Sequence, residues 1–182
     1  NGKLRRMSCL KPNYIGIVGG ILAFISLALP WWTLSMSTTG VPISVDVSVY
    51  LYQVTTAGLT VTMDVWYAWA ALALAIIGGL LGIVGSVTAL GRKLLIAGGV
   101  LALLSIIIFA AGLQNELSKI PVTGIGLFSS GSYSYMGVSL NYSTYLSFGF
   151  WLALVAAIIM FVASRKKPAP IVPTPPPPSV PT

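Results

Sequence analysis

The acidic residues are the first candidates for chemistry, since the chain of 182 residues has only three of them, one cysteine and no histidine. Asp46 and Asp64 lie in one stretch and could approach each other as a catalytic carboxylate pair or a weak calcium site. Because no oxygen-rich ligand spacing flanks them, the pattern favours solvent-facing strand charges that discourage edge-to-edge aggregation. Glu116 and Lys119, three residues apart, are typical of a surface ion pair on a helix end.

The sequence has few residues that could support other kinds of chemistry. Without histidine there is no Ser-His nucleophile pair and no histidine-based metal site. Cys9 is alone, so the chain forms no intrachain disulfide and no cysteine metal cluster. We therefore predict a protein that is not an enzyme, with no catalytic residue, cofactor or metal. Asn141-Tyr142-Ser143 is a candidate N-glycosylation acceptor.

Composition indicates a lipid environment. Hydrophobic residues make up 56% of the chain and charged residues only 7%, and the mean hydropathy is +0.92. A soluble domain usually has about 25% charged residues. We predict a multi-pass protein of the cell (plasma or cytoplasmic) membrane. The net charge of +7 is interpreted as a signal of membrane topology, with no nucleic-acid partner.

Four apolar runs have the length of about 20 residues that crosses a bilayer. The predicted spans are residues 14–34, 66–90, 94–113 and 145–163. Residues 35–65 and 114–144 are the predicted external loops, and residues 91–93 are a predicted tight turn. A basic segment, 1–13, precedes this membrane domain of residues 14–164, and a basic, proline-rich tail, 165–182, follows it. The proline spacing in the tail makes it a candidate binder of aromatic-lined grooves.

The first loop contains a long run with a two-residue period. Apolar and polar residues alternate over 41–51 and again over 59–65, which predicts two strands joined by a turn at 55–58. Residues 33–39 are a candidate strand before them, with a turn at 40–42.

The second loop has strand-like composition over 126–130 and 132–142 around a predicted turn at 129–131. A lone hairpin is marginal in water, and an open sheet edge is not tolerated in lipid. We therefore predict that both loops pair into one sheet above the outer ends of the helices.

Charge and aromatic positions predict orientation. The segment before residue 14, the 91–93 turn and the tail hold every Lys and Arg except Lys119, whereas all three acids lie in the two loops. By the positive-inside rule both termini are cytoplasmic and the loops are external. The predicted interfacial anchors are Trp31, Trp32, Trp66, Trp69 and Trp151.

Small residues recur at four-residue spacing within the spans, which predicts close helix packing in a compact four-helix bundle. The candidate packing positions are Gly16, Gly20, Gly78, Gly82, Ser86, Gly149, Ala153 and Ala157. No span contains an ionisable residue of the kind that proton relays and ion pathways use. A proton-coupled transporter is therefore not expected, while a passive pore made by oligomers stays open.

Four spans, a β-rich first loop and the sequence Trp31-Trp32-Thr33-Leu34 resemble the claudin and peripheral-myelin-protein superfamily. The resemblance implies a membrane all-α four-helix bundle with a small extracellular antiparallel β-sheet. This chain lacks the two cysteines of the first claudin loop, and Asp64 stands where that family tends to have a basic residue.

The expected function is therefore non-enzymatic and rests on contacts with the bilayer and with other membrane proteins or copies of the same chain. Two versions compete: an accessory subunit of a larger membrane complex, and a claudin-like self-associating structural or adhesion protein. The low charge, the small-residue helix faces and the absence of a site favour the accessory subunit slightly. A channel or transport component is the alternative from another class.

Overall fold

A computed structural model describes residues 12–39, 44–88, 90–119, 125–135 and 138–165. The helices are α1 (Tyr14–Leu27), α2 (Trp66–Val87), α3 (Gly91–Leu117) and α4 (Phe148–Arg165). The strands are β1 (Trp32–Thr39), β2 (Ser44–Val49), β3 (Gln53–Thr56), β4 (Leu59–Thr62), β5 (Ser129–Tyr135) and β6 (Val138–Leu146). Three of the helices, α2, α3 and α4, are long and apolar enough to cross a membrane.

The first helix is shorter than predicted. α1 has 14 residues and ends at Leu27, whereas the sequence predicted a span to residue 34. The physical reason is Pro30, because the residue before a proline avoids helical backbone angles. The Trp31 backbone N–H then donates to the Val49 carbonyl at 2.8 Å, which draws the chain into the sheet.

Other helix boundaries also differ from the predicted spans. α2 ends at Val87, short of residue 90. The predicted turn at 91–93 is the first turn of α3, since Leu94 N–H donates to the Leu90 carbonyl. α3 continues to residue 117 instead of 113 and packs against the sheet. α4 begins at Phe148 instead of 145, because the preceding residues pair with β1.

The six strands form one antiparallel sheet in the order β4-β3-β2-β1-β6-β5. The central pair, β1 and β6, joins the first loop to the second, with Trp32 opposite Leu146 and Thr39 opposite Ser139. The prediction that strands from both loops pair into a single sheet is confirmed.

The first loop has one strand more than predicted. The alternating run stops at Val49, where Tyr50 N–H donates to the Gln53 carbonyl and closes a turn. Residues 53–56 form β3, so Thr55 and Thr56, predicted to begin the turn, lie in a strand instead. The hairpin between β3 and β4 turns at Ala57 and Gly58, whose φ angles of 46° and 83° are the left-handed values of a type I′ turn.

The predicted turn at 129–131 is wrong, because these residues lie inside β5. Gly131 is opposite Tyr142 of β6, and a Cβ on this glycine would lie 2.7 Å from the tyrosine Oη. The glycine therefore admits a cross-strand aromatic ring rather than marking a turn. The residues that connect β5 to β6, and the predicted turn at 40–42, lie outside the described residues.

The main core lies where the sheet meets the helix ends, and Trp31 is at its centre with no exposed surface. Its ring packs edge-on against Phe109 and Phe150, and its Nε1–H donates to the Ser26 carbonyl at 2.9 Å. The Trp31 carbonyl accepts from the Ser147 backbone N–H. This side chain and its backbone thus tie together α1, α3, α4 and the sheet.

Candidate interaction surface

The two aspartates do not form a joint site. Asp46 precedes Val47, which is opposite Thr56 beside the hairpin turn, while Asp64 follows β4 at the opposite end of the hairpin. The hypothesis of a carboxylate pair or calcium site made by Asp46 and Asp64 is therefore wrong. Among the residues that the structure describes, no group of three His, Cys, Asp or Glu side chains could hold a metal ion.

Glu116 and Lys119 form the predicted surface ion pair. Lys119 Nζ lies 2.7 Å from Glu116 Oε1 at the end of α3, where the lysine side chain is 61% exposed and the glutamate side chain 41%. An exposed pair of this kind contributes little to stability, and it brings no third functional group into reach. The pair is therefore part of the solvated surface.

A shallow groove of about 360 Å³ opens where the short α1 leaves α4 uncovered. Its lining is apolar: Leu29, Pro30, Phe148, Trp151, Leu152 and Val155. No charged side chain lines the groove, and the indole N–H of Trp151 already donates to the Leu146 carbonyl, so the groove suits hydrocarbon.

The small residues predicted for helix packing are all buried. A Cβ on Gly78 would lie 2.9 Å from the Gly98 carbonyl oxygen, and one on Gly82 would lie 3.3 Å from Gly20 Cα. Gly16 meets the Ser86 hydroxyl. The four-residue stripes therefore face each other across the helix pairs within the chain. Ala153 and Ala157 are likewise buried in α4, and Gly149 lies against Trp31 and the Pro30 carbonyl.

The tryptophans divide into two groups. Trp31 and Trp32 are 0% and 3% exposed, so their interpretation as interfacial anchors is wrong: they fill the core beneath the sheet. Trp66 is 77% exposed, and Trp69 and Trp151 are about half exposed at the helix ends next to the sheet. The indole N–H of Trp69 donates to the Met63 carbonyl, and that of Trp151 donates to the Leu146 carbonyl.

The bundle has one end with the sheet and one end without it. Asn13 marks the end without the sheet, because its backbone N–H donates to the Ser86 carbonyl and its Nδ2 donates to the Ala163 carbonyl. The described cations at that end are Arg92, Lys93 and Arg165. Lys119 and all three acidic residues belong to the sheet end. Charge is thus segregated along the bundle axis.

The outer face of the sheet, which points away from the helices, consists mainly of small hydroxyl side chains. The pairing places Ser37 between Ser44 and Asn141, and Ser35 between Asp46 and Ser143. Asn141 is exposed on this face, in the middle of β6. Apart from Asp46 the described residues of the face are uncharged, so the face is hydrophilic and offers hydrogen bonds without a strong electrostatic preference.

Within the described residues, the two edge strands of the sheet are β4 and β5. Neither contains a charged residue or a proline, the usual protections against edge pairing. On β4, Leu59 and Val61 are 69% and 65% exposed although they point to the apolar face of the sheet. The sheet therefore extends beyond the helices here, and we call residues 59–62 the β4 edge.

No protein-family model and no curated protein matches this chain. The resemblance to the claudin superfamily stays a prediction.

Sequence reasoning missed the β4 edge. The alternation of Leu59-Thr60-Val61-Thr62 predicted a strand with one apolar face. Which strand ends the sheet, and which apolar face lacks a covering helix, depends on the pairing order. The available signal was a short uncharged run, residues 59–63, directly after Ala57-Gly58.

Proposed function

We propose that this chain is a non-enzymatic membrane protein that acts through protein–protein contacts made by its sheet. The observation that carries the proposal is the β4 edge, an unprotected strand with two exposed apolar side chains. Soluble and membrane proteins normally cover or charge such an edge, so an uncovered one favours pairing with another chain.

The helix faces favour self-association over the role of an accessory subunit. A subunit of a larger complex needs a second small-residue face for close helix contact, and the eight predicted packing positions are already buried inside the bundle. The outward helix positions are mostly large aliphatic side chains. Examples are Ile21, Ile25, Leu80, Val84, Leu104, Ile107, Val155 and Ile158. Such faces suit lipid, so we favour a self-associating structural or adhesion protein.

In this proposal all four helices lie in the bilayer and the sheet is external. Support comes from the cations Arg92, Lys93 and Arg165 at the end of the bundle away from the sheet, as the positive-inside rule requires. A membrane-impermeant maleimide applied to intact cells checks this orientation. We expect it to label Ser132→Cys on the outer sheet face and to leave Cys9 unlabelled. Labelling of Cys9 from outside would reverse the orientation.

Self-association is tested by reconstituting the full chain in liposomes and measuring energy transfer between donor-labelled and acceptor-labelled copies. We expect transfer that exceeds the level of randomly distributed monomers. If energy transfer stays at the level of randomly distributed monomers, the self-associating version is wrong and the accessory-subunit version is favoured. A flux assay on the same liposomes addresses the alternative of a channel: our proposal expects no conductance, and reproducible ion flux would contradict it.

A further inference from the structure

We propose that the β4 edge pairs antiparallel with the β4 edge of a second copy, around a two-fold axis that passes beside Val61. This inference rests on the proposed function, since it names the partner and the contact for self-association. The exposed apolar pair Leu59 and Val61 identifies the edge, and three features of the strand support a second copy as its occupant.

The first feature is the direction of the backbone groups. Met63 N–H donates to the Tyr52 carbonyl at 3.0 Å, and hydrogen-bonded positions alternate along an antiparallel pair. Leu59 and Val61 therefore direct their N–H and C=O groups towards β3, as Met63 does with its N–H group. Thr60 and Thr62 direct theirs to the open side, where they form a template for another strand.

The second feature is that the sequence is complementary to itself. Residues directly opposite each other in an antiparallel pair share a face of the sheet. With Val61 opposite Val61 of the second copy, Leu59 faces Met63 on the apolar side, and Thr60 faces Thr62 on the hydroxyl side. Each Thr60 then exchanges both backbone hydrogen bonds with Thr62 of the other copy. Apolar surface meets apolar surface, and hydroxyl meets hydroxyl.

The third feature is charge. Two identical strands meet without repulsion only if neither presents a charge at the contact, and residues 59–63 contain none. The two-fold register also places Asp64 beyond the ends of the paired strands, so its charge does not lie at the contact. The turn at Ala57 and Gly58 is tight, so the hairpin end leaves the edge clear for a second strand.

Disulfide trapping tests the register. In a Cys9→Ser background, Val61→Cys places two thiols at a non-hydrogen-bonded pair, where the Cα atoms are about 4.5 Å apart. This separation lies within the range for a disulfide. Val54→Cys is the matched control, because Val54 is directly opposite Val61 on β3 and shares its face. Its mate would be three strand spacings away, about 14 Å, and out of reach.

We expect mild oxidation in liposomes to convert most V61C chains into disulfide-linked dimers and to leave V54C monomeric. Charge exchange supplies a second measurement. V61K or V61E alone should lose most of the energy transfer between copies, since like charges meet at the axis, and a mixture of the two variants should restore it. Because Val61 is exposed, both variants should keep the thermal midpoint of the parent chain.

The outcomes separate the two proposals. If the native chain shows energy transfer but V61C forms no dimer and V61K has no effect, pairing through β4 is wrong and self-association stands on another surface. If the native chain shows no transfer, self-association and the β4 contact both fail, and the accessory-subunit version of the proposed function is favoured. Dimer formation by V61C together with recovery in the V61K and V61E mixture would establish the contact.

Discussion

The helical bundle and the sheet of this protein differ in how completely their contact surfaces are covered within the chain. In the bundle, small residues on one helix meet small residues on the next, so the chain uses its close-packing positions on itself. In the sheet, the strands β1, β2, β3 and β6 have neighbours on both sides, but the β4 edge keeps backbone groups and two apolar side chains exposed. The bundle therefore uses its close-packing positions internally, whereas the sheet has an open edge that can pair with a further strand. Variants that weaken each region separately can test this difference.

The largest effect is expected at the junction of the two regions. Trp31→Ala should lower the free energy of unfolding by about 3–5 kcal/mol, because a fully buried indole is lost from the contacts with Phe109 and Phe150. Thermal unfolding in detergent measures the loss. Trp66→Ala is the control, since that side chain is 77% exposed, and a shift within about 0.5 kcal/mol is expected. Equal losses would mean that Trp31 does not join the bundle to the sheet.

A smaller loss is expected from widening a helix contact. Gly78→Val places a Cβ within 2.9 Å of the Gly98 carbonyl oxygen and 3.1 Å of the Ala102 nitrogen, so α2 and α3 must move apart. Overpacking of this kind costs about 1–3 kcal/mol. Ala73→Val adds bulk to an exposed position of the same helix and should leave the thermal midpoint unchanged. A neutral Gly78→Val would show that the bundle is not closed by close packing.

In the sheet, Thr144 attaches the start of β5 to β6. Its hydroxyl donates to the Gly126 carbonyl at 2.8 Å and accepts from the Ser129 backbone N–H at 2.9 Å. Thr144→Val should cost about 1–2 kcal/mol, because these partly buried backbone groups lose a partner. Hydrogen exchange should accelerate in β5 and stay unchanged in β4. Ser143→Val, on the outer face, is the control. If it accelerates hydrogen exchange in β5 as much as Thr144→Val does, the Thr144 hydroxyl has no special role.

The smallest effect is expected for a polar contact inside the bundle. Ser105 is fully buried and its hydroxyl donates to the Ala71 carbonyl of the neighbouring helix at 2.7 Å. Ser105→Ala should cost about 0.6 kcal/mol, the average for hydrogen bonds between membrane helices. Chemical unfolding in mixed micelles measures it. A cost above that of Thr144→Val would mean that hydrogen bonds, rather than close packing, close the bundle.

Local pattern predicted the helices better than the strands. Runs of apolar residues located α2, α3 and α4 to within a few residues, because helix hydrogen bonds form within the run itself. The strands were harder, since Tyr50 to Tyr52 continue the alternation of β2 but are occupied by a turn that depends on pairing with β3. Ser129 to Gly131 have turn-forming composition and still form a strand, because β6 offers them partners.

The candidate surface was predictable only in outline. Alternation around Leu59 and Val61 predicted an apolar strand face, yet it could not say that the helices would leave this face uncovered. Trp31 and Trp32 show the converse: their place at the end of an apolar run predicted contact with an interface, and the sheet covers them instead.

By itself, the sequence determined the apolar helices, the two-sided strands and the separation of charge between the ends of the bundle. These properties follow from residue type and spacing along the chain. Only the tertiary structure decided the order of the strands, the burial of Trp31 in the core beneath the sheet, and the position of β4 as an edge. Strand order and burial arise from contacts between residues far apart in the chain. Local periodicity does not indicate which strand or helix will lie beside a given strand.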